Sequence, residues 1–137
     1  MDIDRQNRQR LAAAARAAVT ASYSPYSRFR VGAALLCADG AVVTGVNVEN
    51  RSYGLTLCAE RSAVVAAVSA GHRSVLAVAV FTPDSAQAVA PCGACRQVLS
   101  EFAGPQTPVL MSGSGEDREC SLGELLPLDS LQLPAWQ

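Results

Sequence analysis

Lysine is absent from the 137-residue chain, and its eleven basic residues, all arginine, are scattered and balanced by twelve acidic ones to a formal net charge of -1. No basic patch of the kind that tracks a phosphate backbone results, which argues against a nucleic-acid partner. Long apolar runs are missing too, since none approaches the roughly 18 residues of a membrane span. The opening stretch, MDIDRQNRQR, carries both signs of charge and lacks the apolar segment of a secretory signal. A cytoplasmic protein with no membrane partner is expected. No repeat, linker or low-complexity segment breaks the chain, and histidine occurs once, at position 72.

Cysteine is present in an odd number, five. In a reducing compartment such thiols serve as metal ligands, catalytic groups or buried apolar side chains more often than as disulfides. Half of the residues are hydrophobic, ample for one core, and residues 1-137 are expected to form a single domain.

Apolar and alanine positions from Asp4 to about Tyr23 recur near helical spacing, and Pro25 stops them. Two apolar runs, about 29-37 and 41-48, flank Asp39-Gly40, a dipeptide suited to a tight hairpin turn. CAERSAVVAAVSAG, from Cys58 to Gly71, predicts a helix buried against a sheet, with Gly71 as its cap. SVLAVAVFTP reads as an interior strand, Pro91 precedes a second helix in CGACRQVLSEF, and TPVLMS offers a further strand. SLGELLP predicts a terminal helical turn with Ser121 and Glu124 as a capping box. The alternation implies an α/β class, three layers α/β/α, around a mixed sheet of about five strands with the hairpin at an antiparallel edge.

Cys92 and Cys95 are separated by two residues, a common spacing for two thiolates on one metal ion, and Cys58 opens the other buried helix. Three thiols at two converging helix N-termini suit zinc, leaving its fourth position for water, as catalytic sites do. Glu60 lies two residues beyond Cys58, so its side chain points about 200° round the helix, too far to be a ligand but within reach of that water.

VNVENRSYGLTLCAER followed by PCGACRQVLSEF resembles the cytidine deaminase family in its short, single-domain form, over about residues 23-127. The resemblance implies zinc-activated water attacking C4 of cytosine, with Glu60 shuttling protons and one zinc ion per subunit on Cys58, Cys92 and Cys95. It implies ribose contacts from Asn47 and Glu49, an aromatic wall from Phe29, and backbone contacts to the base from Ala59 and Ala90. Arg61 is implied to hydrogen-bond the thiolates and draw off electron density, with Arg96 a second candidate. The resemblance also implies a homotetramer with active sites near subunit interfaces; the family places a phenylalanine of the tail where this chain has Ser130, so that either Leu131 or Trp136 covers the pocket in its stead or the pocket is more open than usual and tolerates modified cytosines.

A zinc site closed by Cys37, Cys120 or His72 would instead be structural, and a cytosine analogue of the blasticidin type would keep the chemistry while changing the substrate. His72 is otherwise a solvated loop residue, Cys37 a strand residue and Cys120 a loop thiol.

Overall fold

The computed structural model describes residues 3-129, so the tail positions Ser130, Leu131 and Trp136 lie outside the described residues. Helix α1 spans Arg5-Ala18, with Asp4 as its N-cap accepting from Asn7 N at 2.7 Å, and it ends in a 3₁₀ turn at Val19-Ala21, short of Tyr23. The hairpin follows as β1 (Gly32-Cys37) and β2 (Val42-Val46). Gly40 takes φ +89° between them, the left-handed conformation that favours glycine. Both strands are shorter than the sequence pattern predicts. Arg28, at φ +58°, breaks the extended run ahead of β1, and side chains take over from the ladder beyond β2.

The other elements are α2 (Ala59-Ser69), β3 (Val75-Phe81), α3 (Gly93-Phe102), β4 (Pro108-Ser112), β5 (Asp117-Ser121) and α4 (Leu122-Leu125). Strand order is β2-β1-β3-β4-β5. Only β3 and β4 run parallel, so the sheet is mixed, as expected. Strand β5 carries Cys120, which is therefore a strand residue and not a loop thiol. Its exposed run Asp117, Arg118, Glu119 conceals it in the sequence; charge on an edge strand discourages pairing with another chain. The capping box forms, with Ser121 Oγ accepting from Glu124 N and Glu124 Oε1 accepting from Ser121 N.

Alternation along the strands sorts the core into two layers. Ala33, Leu35, Val78, Val80 and Val109 face α2 and α3, whereas Ala34, Leu36, Ala77, Ala79 and Phe81 face Leu11 and Ala15 of α1. Helix α2 is less enclosed than its apolar sequence predicts, for Val65 on its outer flank is 56% exposed. Gly71, just past the cap, takes φ +99°. Among the described residues no helix is long and apolar enough to cross a membrane.

Two close approaches fix the helices on the sheet. A Cβ at Gly32 would strike Ala15 O and stand 2.9 Å from Val19 N, and one at Gly45 would strike Ala63 N and stand 2.7 Å from Ala59 O. Glycine is thus required beneath each helix, and Gly45 sets the height of the first turn of α2.

Candidate active site

Helices α2 and α3 begin side by side at the end of the sheet where β3 terminates, the usual place for a ligand crevice in α/β sheets. Cys58 is the N-cap of α2 and Cys92 the N-cap of α3, both with extended backbone, while Cys95 lies within the first turn of α3. Their three sulfurs fall within 4.8 Å of one another. Cys58 Sγ and Cys92 Sγ are 3.9 Å apart, and Cys92 Sγ and Cys95 Sγ 3.4 Å. Tetrahedral zinc with sulfur at about 2.3 Å requires neighbouring sulfurs about 3.8 Å apart, so the set fits that ion closely. Neither Cys37, Cys120 nor His72 joins the cluster, which leaves three ligands and no closed four-ligand site among the described residues. His72 is only partly solvated, its Nδ1 lying 3.4 Å from Asp39 Oδ2.

Arg61 Nη2 donates to Cys58 Sγ at 3.2 Å. Hydrogen bonding from Cys95, aided by Arg61, pulls the Cys58 thiol down to about 5 against the cost of burial, whereas the pairing with Cys58 and burial push Cys95 up. Arg96, the second arginine expected near the sulfurs, is elsewhere engaged: Nε donates to Pro91 O at 2.7 Å and Nη1 to Leu125 O at 2.8 Å. It braces the approach to α3 against α4.

A cavity of about 320 Å³ opens beside the sulfurs, with Cys58, Cys92, Glu60, Phe29, Asn47 and Glu49 among its walls, and Ala59 and Ala90 as well. Every site residue expected from the sequence except Cys95, Arg61 and Arg96 lines it. Glu60 is only 5% exposed, and burial pushes its carboxyl up to about 7, with the negative charge of Cys58 adding to the rise and a backbone hydrogen bond and Arg61 opposing it. A carboxyl held near neutrality can both take and return a proton. Ser27, Thr56, Val31, Val80 and Val89 also line the cavity, and the sequence reading passed over them. Strand alternation could have found Val80, which shares the face of Val78; nothing local marks the others.

Asn47 and Glu49 hold backbone. Asn47 Oδ1 accepts from Ser22 Oγ and from Val31 N, and its Nδ2 donates to Phe29 O at 2.8 Å. Glu49 accepts from Tyr26 N at 3.0 Å, from Ser27 N at 3.1 Å and from Ser27 Oγ, and the Ser27 hydroxyl, with help from these amides, lowers its pKa against the opposing effect of burial. Both residues shape the loop that carries Phe29.

The family model for the "Cytidine and deoxycytidylate deaminase zinc-binding region" matches residues 5-111. A cytidine deaminase of Halalkalibacterium halodurans is 50% identical over 122 residues, 88% of this chain and 92% of that protein. A crystal structure of cytidine deaminase from Burkholderia pseudomallei superposes with a TM-score of 0.82 at 48% identity, covering 87% of this chain and 95% of that one. Blasticidin-S deaminase of Bacillus cereus is more distant, 34% identical over 109 residues, 74% of this chain and 77% of its own. With its three thiols, buried glutamate and five-stranded mixed sheet matched across most of its length, the chain belongs to the zinc-dependent cytidine and deoxycytidylate deaminase family.

Proposed function

We propose that the protein hydrolytically deaminates cytidine and 2'-deoxycytidine to uridine and 2'-deoxyuridine with release of ammonia. The observation that carries this is the position of Glu60, buried and close to neutral pKa, in one cavity with Cys58 and Cys92, two of the three clustered thiols. Cys58, Cys92 and Cys95 would hold one zinc ion per subunit, which when bound supplies Lewis acidity that activates a water molecule near neutral pH. Glu60 then accepts a proton from the water and passes it to N3 of the ring. A second proton, moved by the same carboxyl from the new C4 hydroxyl to the amino group, lets the C4-N bond break, so the ring keeps oxygen and ammonia leaves. Arg61 restrains the charge of Cys58 through its hydrogen bond. Phe29 would stack on the ring, main-chain groups of Ala59 and Ala90 would meet its polar edge, and Asn47 Nδ2 with Glu49 would reach the ribose from the loop they brace. The second hydrogen of an amide nitrogen and the spare lone pairs of a carboxylate make both roles compatible.

We further infer one catalytic domain acting in the cytoplasm in pyrimidine salvage, as a homotetramer with active sites near its interfaces. Support comes from exposed apolar side chains beside the cavity, Tyr26, Tyr53 and Leu55, the two tyrosine rings meeting edge to face at 6.3 Å. The test is ammonia release by the zinc-loaded protein from cytidine, deoxycytidine, cytosine and blasticidin S, with mass measured by light scattering. Turnover of the two nucleosides supports the reading; turnover of blasticidin S alone moves the substrate to the analogue class, and turnover of none overturns it.

A further inference from the structure

Six consecutive backbone amides, Tyr26 to Val31, all have acceptors. Glu49 takes the first two, Ser24 O takes Arg28 at 2.9 Å, Ser27 Oγ takes Phe29 at 3.0 Å, Asp84 Oδ2 takes Arg30 at 2.8 Å and Asn47 Oδ1 takes Val31 at 3.0 Å. Five of these amides are taken by four acceptors close to the loop itself, on Ser24, Ser27, Asn47 and Glu49. Asp84 does not line the cavity but starts the segment that runs into Val89 and Ala90 on its opposite wall. It also accepts from Arg30 Nε at 3.0 Å and Nη2 at 2.7 Å, so a single carboxylate receives three hydrogen bonds from one residue beside Phe29. Those bonds hold its pKa down at about 2, so the link stays charged at any pH in which an enzyme works.

The opposite wall is itself fixed. Asp84 N donates to Thr82 Oγ1 at 3.2 Å, Thr82 is fully buried, and its amide donates to Ser112 O. Ser114 N donates to Ser85 O at 2.7 Å and Gly115 N to Ala86 O at 3.0 Å, while Ala88 N donates to Glu116 Oε1 at 2.8 Å. This segment leads directly into Val89 and Ala90 of the cavity. From this geometry we infer that Asp84 is a positioning residue for the base: it ties the loop carrying Phe29 to the anchored segment carrying Val89 and Ala90, and so sets the width of the cleft that takes the pyrimidine ring. The inference rests on the proposed function only in naming a flat pyrimidine as the occupant.

Asp84 touches neither the thiols nor Glu60, which ride on helices seated by Gly45 and the core. Loosening the cleft should therefore weaken binding of the ring equally before and during reaction, raising KM while sparing kcat. In the zinc-loaded protein Asp84→Ala is expected to raise KM for cytidine about tenfold with kcat changed less than about twofold, the scale of one lost charge-assisted contact. Asp84→Asn, which keeps an acceptor, should restore most of the affinity, and Arg30→Ala combined with Asp84→Ala should be no worse than Asp84→Ala alone. An unchanged KM, or a kcat that falls together with zinc content, overturns the inference. Should the unaltered protein fail to act on cytidine, the proposed function falls by itself, and hydrogen exchange decides this point: Asp84→Ala should speed exchange at residues 29-31 but not in α2, and equal exchange would refute the link.

Discussion

Helices α1 and α2 lie on opposite faces of the sheet, each over a glycine that its backbone nearly touches, and only α2 starts at the thiol cluster. At the end of the sheet where β3 terminates, α1 presents its last turn, Ala15 to Val19 over Gly32, whereas α2 presents its first, Ala59 to Ala63 over Gly45. A helix N-terminus carries partial positive charge and favours thiolates; a C-terminus carries the opposite sign. Packing on the two faces is therefore alike, while their electrostatics at the cavity end differ in sign. The α1 face seals the sheet, and the α2/α3 face gathers anions.

Breaking the active face at its chemical centre should give the largest effect. Glu60→Ala is expected to lower kcat by at least about a hundredfold, the scale of a general acid/base, while leaving zinc content unchanged because the carboxylate is no ligand. Metal analysis alongside turnover checks it, and joint loss of both would make the glutamate structural. The matching cut on the other face is Leu11→Ala. Leu11 is fully buried among Ala34, Leu36 and Ala79, so its truncation should cost about 2-5 kcal/mol of stability. Denaturant titration would show the loss, and kcat and KM of the folded fraction should stay as they were.

How far this division could be read in advance differs between elements. Cys58, Cys92 and Cys95 were legible because they stand at the starts of helical patterns, the first two as N-caps and Cys95 in a first turn, and a helix start is a local signal that fixes where such side chains point. The turn at Asp39-Gly40 and the box of Ser121 and Glu124 were legible for the same reason. Strand β5 was not, since its stability comes from pairing with β4 and its exposed face is charged. Asn47 and Glu49 were legible as polar residues after a strand, but not as props of a loop some twenty positions earlier. Arg96 could be placed near the sulfurs by its neighbour Cys95, yet a helix turns about 100° per residue, and that step sends the guanidinium to the carbonyls of Pro91 and Leu125.

The same small change can be placed on each face of the sheet. Gly45→Ala and Gly32→Ala both insert a methyl group against helix backbone, an overpacking that should cost about 1-3 kcal/mol in either case. Their functional readouts should part. Relief at Gly45 has to move the first turn of α2, carrying Cys58 and Glu60 with it, so zinc affinity should fall at least about tenfold, as misplaced ligands generally cause. Relief at Gly32 moves the last turn of α1, where no ligand rides, and zinc affinity should hold. Equal losses of zinc in the two variants would mean that the glycines act through global stability alone.

The smallest expected effect lies one residue from the cavity and on the wrong side of the sheet to reach it. Val80 lines the cavity, while its neighbour Phe81 faces α1, where the Arg16 guanidinium carbon sits 4.3 Å from the ring centroid. Arg16 also approaches Asp117 Oδ1 at 3.6 Å, but both side chains are largely solvated, so that pair adds little. Cation-π contact at an exposed position is worth roughly 0.5-1 kcal/mol, and Arg16→Ala should lower stability by about that much. Because the pleat directs Phe81 away from the substrate, KM for cytidine should not move, even though the altered contact is a single residue from the cavity wall. Parallel denaturant and kinetic measurements on Arg16→Ala and Val80→Ala check this: only the second should change KM, and a shift in KM with Arg16→Ala would show that the two faces are coupled through β3.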